Sequence, residues 1–187
     1  MARRSARSVR GAAALALAAA LSGVSGATAQ AAPAPADGPD HRHCIADLDS
    51  GRQQCFGTFD AAVTAATGGR VKDAPESARA AARDDAFRAE LAGEVIQGTF
   101  FEHASYGGSS LTVYGAEPCV KDGWVEYQLD FDDWWKDRIS SVQPWANCWI
   151  WLYPEPNLGG DRDGPFKENT PDIGSFMNDR AESVGFS

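Results

Sequence analysis

The sequence predicts a mainly β protein: an antiparallel sandwich of about ninety residues, built from one unit used twice and preceded by a smaller α+β segment. Three observations carry that expectation. From Val95 onward, short aromatic and β-branched runs are broken by Gly, Pro and Asp, the texture of short strands and tight turns. All six tryptophans, at 124, 134, 135, 145, 149 and 151, fall in that half; in so small a sandwich most of them are read as core fillers rather than as a platform for stacking sugars. Finally, the half nearly repeats itself. Phe101-Glu102-His103-Ala104-Ser105-Tyr106-Gly107-Gly108-Ser109-Ser110 leads to Lys136-Asp137-Arg138-Ile139-Ser140-Ser141, and Tyr153-Pro154-Glu155-Pro156-Asn157-Leu158-Gly159-Gly160-Asp161-Arg162 leads to Asn178-Asp179-Arg180-Ala181-Glu182-Ser183.

Ahead of the fold come segments expected to lie outside it. Arg3, Arg4, Arg7 and Arg10 precede an apolar run from Gly11 to Leu21, and Ala27-Thr28-Ala29 offers a small-residue cleavage site. That order predicts a secretory signal peptide over residues 1–29, too short in its apolar part to span a bilayer. Loss of its four arginines, with no acid, takes the net charge from −9 to −13. A surface that acidic excludes nucleic acid as a natural partner, since phosphate binding needs a concentrated basic face. The expectation is a secreted, extracellular protein with no membrane association in its mature form. Residues 30–43 hold Ala-Pro-Ala-Pro and little bulk, and are read as a disordered linker.

Four cysteines in an exported chain imply two disulfides, with three pairings open. Cys44 and Cys55 flank a strand entering a tight turn at Asp49-Ser50-Gly51, so a hairpin staple is the simplest choice, leaving Cys119 with Cys148. A zinc site would want a Cys-x-x-Cys pair, and there is none. Residues 44–93 read as this hairpin followed by helices. Thr58 caps a helix from Phe59 to Ala66 that Gly68-Gly69 ends. A second helix is expected from Asp73 as cap, with Pro75 in its first turn, through Phe87 and Leu91 to Gly93; those two apolar residues could dock on the sandwich.

In the sandwich, residues 94–187, strands are expected over Val95 to Phe101, Ser110 to Tyr114 and Trp149 to Tyr153, with turns at Tyr106-Gly107-Gly108 and Leu158-Gly159-Gly160. The pattern aromatic-Glu-x-x-x-aromatic-x-Gly-x-Ser, followed by an acidic pair and Ser-Ser, resembles the βγ-crystallin Greek key motif. Phe101, Glu102, Tyr106, Gly108 and Ser110 match the first element throughout; in the second copy Tyr153, Asn157 and Gly160 fit, while Pro154, Leu158 and Arg162 depart from it. The resemblance covers residues 95–187. It implies two tandem Greek keys forming a βγ-crystallin-like sandwich, motif one over 94–145 and motif two over 146–187. Gly108 and Gly160 would let each first hairpin fold over itself. Gly108 precedes Asp137 by 29 residues but Gly160 precedes Asp179 by 19, so about ten extra residues sit in motif one, in the loop of Cys119.

The resemblance also implies calcium at the ends of the sandwich, each site drawing on both motifs. Carried over, one site takes Asn178 and Asp179 with Ser140. The other takes Asp137 with the backbone of Glu102, but there Lys136 stands where an acid or amide belongs and Glu182 where a hydroxyl belongs. An ammonium opposes a cation while a second carboxylate favours it. Small metalloproteinase inhibitors share this fold and its two disulfides, which makes an extracellular protease an alternative partner, with the loop from Pro154 to Asn169 as the inhibitory segment. Catalysis is not expected: His41, His43 and His103 supply no Ser/His/Asp or Cys/His constellation, His41 and His43 reading as a solvated pair, and acid pairs such as Asp132-Asp133 carry little weight in so acidic a chain.

Overall fold

The computed structural model describes residues 41–91, 96–115, 117–145 and 147–187; the expected signal peptide and nearly all of the expected linker lie outside them. The chain runs β1 (His43–Asp47), β2 (Gln53–Phe56), α1 (Phe59–Ala66), α2 (Ala78–Ala81), α3 (Asp85–Leu91), β3 (Ile96–His103), β4 (Gly107–Tyr114), β5 (Tyr127–Asp130), β6 (Ser141–Pro144), β7 (Ile150–Tyr153), β8 (Asp163–Phe166) and β9 (Ser183–Phe186). Five strands form one sheet in the order β2-β1-β4-β3-β6, and four form another in the order β5-β9-β7-β8.

The two sheets exchange strands. β5 belongs by sequence to the first repeat yet pairs with β9 of the second, Leu129 opposite Val184. In return Thr170, from the second repeat, bridges Val142 of β6, with Val142 N–H donating to the Thr170 carbonyl at 3.1 Å and Thr170 N–H donating back at 2.9 Å. Each repeat is therefore a Greek key whose third strand lies in the other's sheet. Between the sheets the inward residues of both close a core that includes Phe100, Leu111, Phe131, Trp135, Ile139, Val142, Ile150, Leu152, Val184 and Phe186. Trp135, Trp145 and Trp151 are buried as expected of core fillers, Trp134 and Trp149 are half-buried, and Trp124 is 79% exposed.

The segment before the sandwich is part of the same sheet. β1 pairs in parallel with β4, Ile45 opposite Thr112, and in antiparallel with β2, Cys44 directly opposite Cys55. Both expected disulfides are present, Cys44 with Cys55 and Cys119 with Cys148. The helices cover the outer face of the five-stranded sheet: Phe59, Val63, Phe87 and Leu91 pack with Ile96, Phe101 and Trp145 in a second core cluster. The first sheet is thus buried on both sides. This explains why β3 reads as a continuous apolar run rather than an alternating one, its first six residues all buried.

Three expectations need correction. The second helix does not start at Asp73. Ser77 caps α2 by accepting from Ala80 N–H at 3.2 Å, and Asp84 starts α3 by accepting from Ala86 and Phe87 N–H at 3.0 and 2.9 Å. Side chains that bond local N–H groups restart the helix where a continuous one was expected. His43 is neither linker nor solvated: it opens β1, is 1% exposed, and its Nδ1 lies 2.8 Å from Ser110 Oγ. The stretch from Pro154 to Asn169 is not one loop, because Asp163–Phe166 is strand β8 against β7.

Candidate metal centre

At one end of the sandwich the two repeats meet through a pair of turns. Asp137 and Asp179 both hold left-handed backbone, φ 57° and 53°. Asp137 N–H donates to the Ala181 carbonyl and Asp179 N–H to the Ile139 carbonyl, both at 3.0 Å. Each acidic turn is thereby fixed to the opposite repeat by the same bond, a local two-fold relation. The folded-over hairpins obey it too. Ser141 Oγ donates to the His103 carbonyl and accepts from Tyr106 N–H at 2.7 and 3.1 Å; Ser183 Oγ does the same with the Glu155 carbonyl and Leu158 N–H, again at 2.7 and 3.1 Å. In both hairpins the bend rests on left-handed residues, and Gly108 and Gly160 take φ 75° and 77° as the repeat required. These hydroxyl locks were hidden in the sequence, where only the recurring Ser after the acidic turn signals them.

One cluster of oxygens stands out. Ser140 Oγ donates to the Glu102 carbonyl at 2.9 Å and lies 3.3 Å from Asp179 Oδ1. Asn178 Nδ2 donates to Asp179 Oδ2 at 2.7 Å, orienting the carboxylate. A carbonyl of the first repeat and a carboxylate of the second thus stand 2.9 and 3.3 Å from one shared hydroxyl, spacings compatible with oxygens that bind one calcium at roughly 2.3–2.6 Å. Asn178, Asp179 and Ser140 are brought together as the sequence predicts. The Glu102 carbonyl is not with Asp137, where it was expected, but here: the acidic turn that crosses to β3 is the one from the second repeat. Among the described residues no group of three or more His, Cys, Asp or Glu is placed to hold a metal ion, so a hard-cation site built from them would mix oxygen types in this way.

The two-fold-related turn, that of Asp137, lacks such a cluster. Glu182 occupies the place of Ser140, and among the described residues neither its carboxylate nor that of Asp137 makes a hydrogen bond. Lys136 does not face Asp137 in an ion pair but holds Asp133 at 3.4 Å. The Glu102 side chain serves the hairpin: Oε2 accepts from Ser109 N–H at 3.2 Å and Oε1 lies 3.4 Å from Arg138, whose guanidinium also stacks 4.8 Å from the Trp134 ring.

Burial opposes ionisation of Glu102, but the Ser109 N–H and hydroxyl, His103 and Arg138 outweigh it and hold the carboxyl below its ordinary 4.5. A carboxyl depressed in the folded state stabilises fully above its unfolded value, and loses that contribution as pH falls through the folded value. Glu102→Gln is therefore expected to lower the urea midpoint at pH 7 and to match the wild type at the most acidic pH where both still fold. A gap that stays constant across pH would show that the charge is not what is lost.

No family model matches the sequence, and no curated protein matches it. Among solved structures, a βγ-crystallin domain from Clostridium beijerinckii is 21% identical over 48% of this chain and 95% of its own, with a TM-score of 0.38. A βγ-crystallin domain from Flavobacterium johnsoniae is 18% identical over 48% of this chain and 92% of its own, TM-score 0.36. The N-terminal domain of Protein S is 17% identical over 49% and 94%, TM-score 0.37. The fold is decided by two Greek keys, related by a local two-fold, that trade their third strands. The sandwich has the βγ-crystallin fold. In this βγ-crystallin sandwich the first sheet carries an added edge, β1 and β2, and an added helical layer.

Proposed function

We propose that this is a secreted, non-catalytic βγ-crystallin-type protein that binds one calcium ion between its two repeats. The carrying observation is the oxygen cluster of Ser140 Oγ, the Glu102 carbonyl and the Asp179 carboxylate, 2.9 and 3.3 Å from the shared hydroxyl. Calcium would supply a charge that these oxygens answer from two repeats at once. Its binding would tie the acidic turn of the second repeat to β3 of the first and stabilise the folded state by mass action. Export is supported by the leader sequence and by the two disulfides, which persist in oxidising compartments.

The test is calorimetric titration of metal-free protein with calcium, alongside thermal unfolding. At a calcium concentration of about 100 times Kd, stabilisation of about 2.7 kcal/mol is expected, or roughly 5–10 °C in Tm for a fold of this size. Asp179→Ala should abolish both the heat and the shift, while Asp137→Ala should keep them. Absence of heat and of any Tm rise at millimolar calcium would sink the proposal; equal loss in both variants would mean that the two acidic turns are not unequal.

A further inference from the structure

We infer that a second site, beside α3 and the end of β6, binds a sulfate or phosphate group. A cavity of about 320 Å³ lies between α3, the β4–β5 loop, the β6–β7 connection and the end of β8. Arg88, Lys121 and Lys167 line it, with Leu91, Trp145 and Asn147 among its walls, and among the described residues no carboxylate does. In a chain of 26 acidic and 17 basic residues, three cations converging without an acid run against the composition. Among the described residues none of the three makes an ion pair.

The cations are held in place by neutral groups. The Arg88 guanidinium stacks 4.7 Å from the Trp145 ring and donates from Nη1 to Asn169 Oδ1 at 2.7 Å. Lys167 Nζ sits 3.8 Å over the Trp149 ring. Ring faces and an amide orient a positive charge without neutralising it, leaving donors free for an incoming anion. Lys121 and Asn147 both have φ of 64°, and Asn147 Nδ2 donates to the Cys119 carbonyl at 3.3 Å beside the Cys119–Cys148 bridge. The loop that brings Lys121 to the cavity is therefore pinned, with its backbone in the left-handed region that non-glycine residues rarely adopt. The size suits a single oxyanion with a small body such as one sugar ring against Trp145 and Leu91, at the lower end of ligand cavities. Because the surface as a whole is acidic, the anion must be recognised at contact rather than steered from a distance.

The oxyanion has two sources, free in solution or borne on a saccharide, and calorimetry with inorganic sulfate and with a sulfated disaccharide separates them. Both titrations use the exported chain at fixed ionic strength in EDTA, which removes calcium from the question. Both probes should bind, with the disaccharide much tighter if a saccharide is the natural bearer and equal to sulfate if the free ion is. The double variant Lys121→Gln/Lys167→Gln should weaken both by about tenfold or more, each charge-assisted contact being worth that factor or better. Its unchanged Tm checks the fold. Lys136→Gln, which removes an ammonium paired with Asp133 and not among the cavity's lining, should leave binding unaltered. No binding of either probe, or binding that survives the double variant, overturns the site.

Discussion

Phe100→Ala is expected to lower the stability of the sandwich by about 3–5 kcal/mol, the range for emptying a fully buried phenylalanine site. Phe100 is 0% exposed in the middle of β3, and its ring meets Phe131 edge-on at 5.4 Å and Phe186 at 6.1 Å. One of those neighbours follows β5 and the other ends β9, so a single side chain joins both sheets and both repeats. Neither neighbour can move in to fill the space. Phe131 is held by its N–H on the Glu182 carbonyl at 2.9 Å, and Phe186 is in register with both Tyr127 and Ile150. The void therefore persists, and the cost stays near the upper part of the range rather than relaxing away. In a scanning calorimeter this should appear as a Tm drop of about 10 °C, taking 2–4 °C per kcal/mol for this size. Phe176→Ala is the contrast. That ring is 49% exposed and carries only a stacked Arg180, so its loss should cost under about 0.5 kcal/mol. If the two variants unfold together, the centre of the core has been misplaced.

What the sequence made legible follows from how local each signal is. The cap at Thr58, the helix to Ala66 and the glycines that end it depend on neighbours a few residues apart, and they hold: Thr58 Oγ1 accepts from Ala61 N–H at 3.3 Å and Gly68 has φ 59°. The repeat was equally readable because hairpin and acidic turn recur at fixed offsets. The second helix failed because several residues, Asp73, Ser77 and Asp84, were each able to cap, and a single strand of sequence does not say which one packing will favour. Parallel pairing of β1 with β4 was invisible for a different reason. It joins residues 67 apart, such as His43 and Ser110, and no turn residue announces a crossover of that length. The misplaced Glu102 carbonyl has the same origin. Two nearly equal repeats leave open which acidic turn reaches which hairpin, and only the strand exchange resolves it. The nearness of Asp179 to Ser140 was legible because one residue type in each repeat departs from the other: a serine against Glu182, an asparagine against Lys136.

Replacing Cys119 and Cys148 together by serine is expected to cost about 3–4 kcal/mol, more than the matching replacement of Cys44 and Cys55. The bridge closes a chain segment of sequence separation 29, whereas the hairpin bridge closes one of 11, and loop-closure entropy removed from the unfolded chain rises with length, to about 3.6 against about 2.8 kcal/mol. Native contacts widen the gap. Cys44 and Cys55 already face each other in a β ladder that would keep its register without sulfur. The segment between β4 and β5 has no strand among its described residues; apart from the bridge it is tied down by Asn147 on the Cys119 carbonyl, Gln97 Nε2 donating to the Glu117 carbonyl at 2.9 Å, Glu126 N–H donating to the Phe186 carbonyl at 2.8 Å, and Val125 lying over Gly185, where an added Cβ would come within 2.9 Å. Without sulfur this segment should loosen before the sandwich unfolds. Sulfate binding by the serine variant should then fall further than its stability, since Lys121 is placed by the lost bridge and Cys148 itself lines that cavity. Urea unfolding of both double variants ranks the two costs. A larger loss from the hairpin bridge would overturn the entropic ordering, and sulfate affinity equal to wild type in the folded Cys119→Ser/Cys148→Ser protein would show that the loop is positioned by its remaining contacts instead.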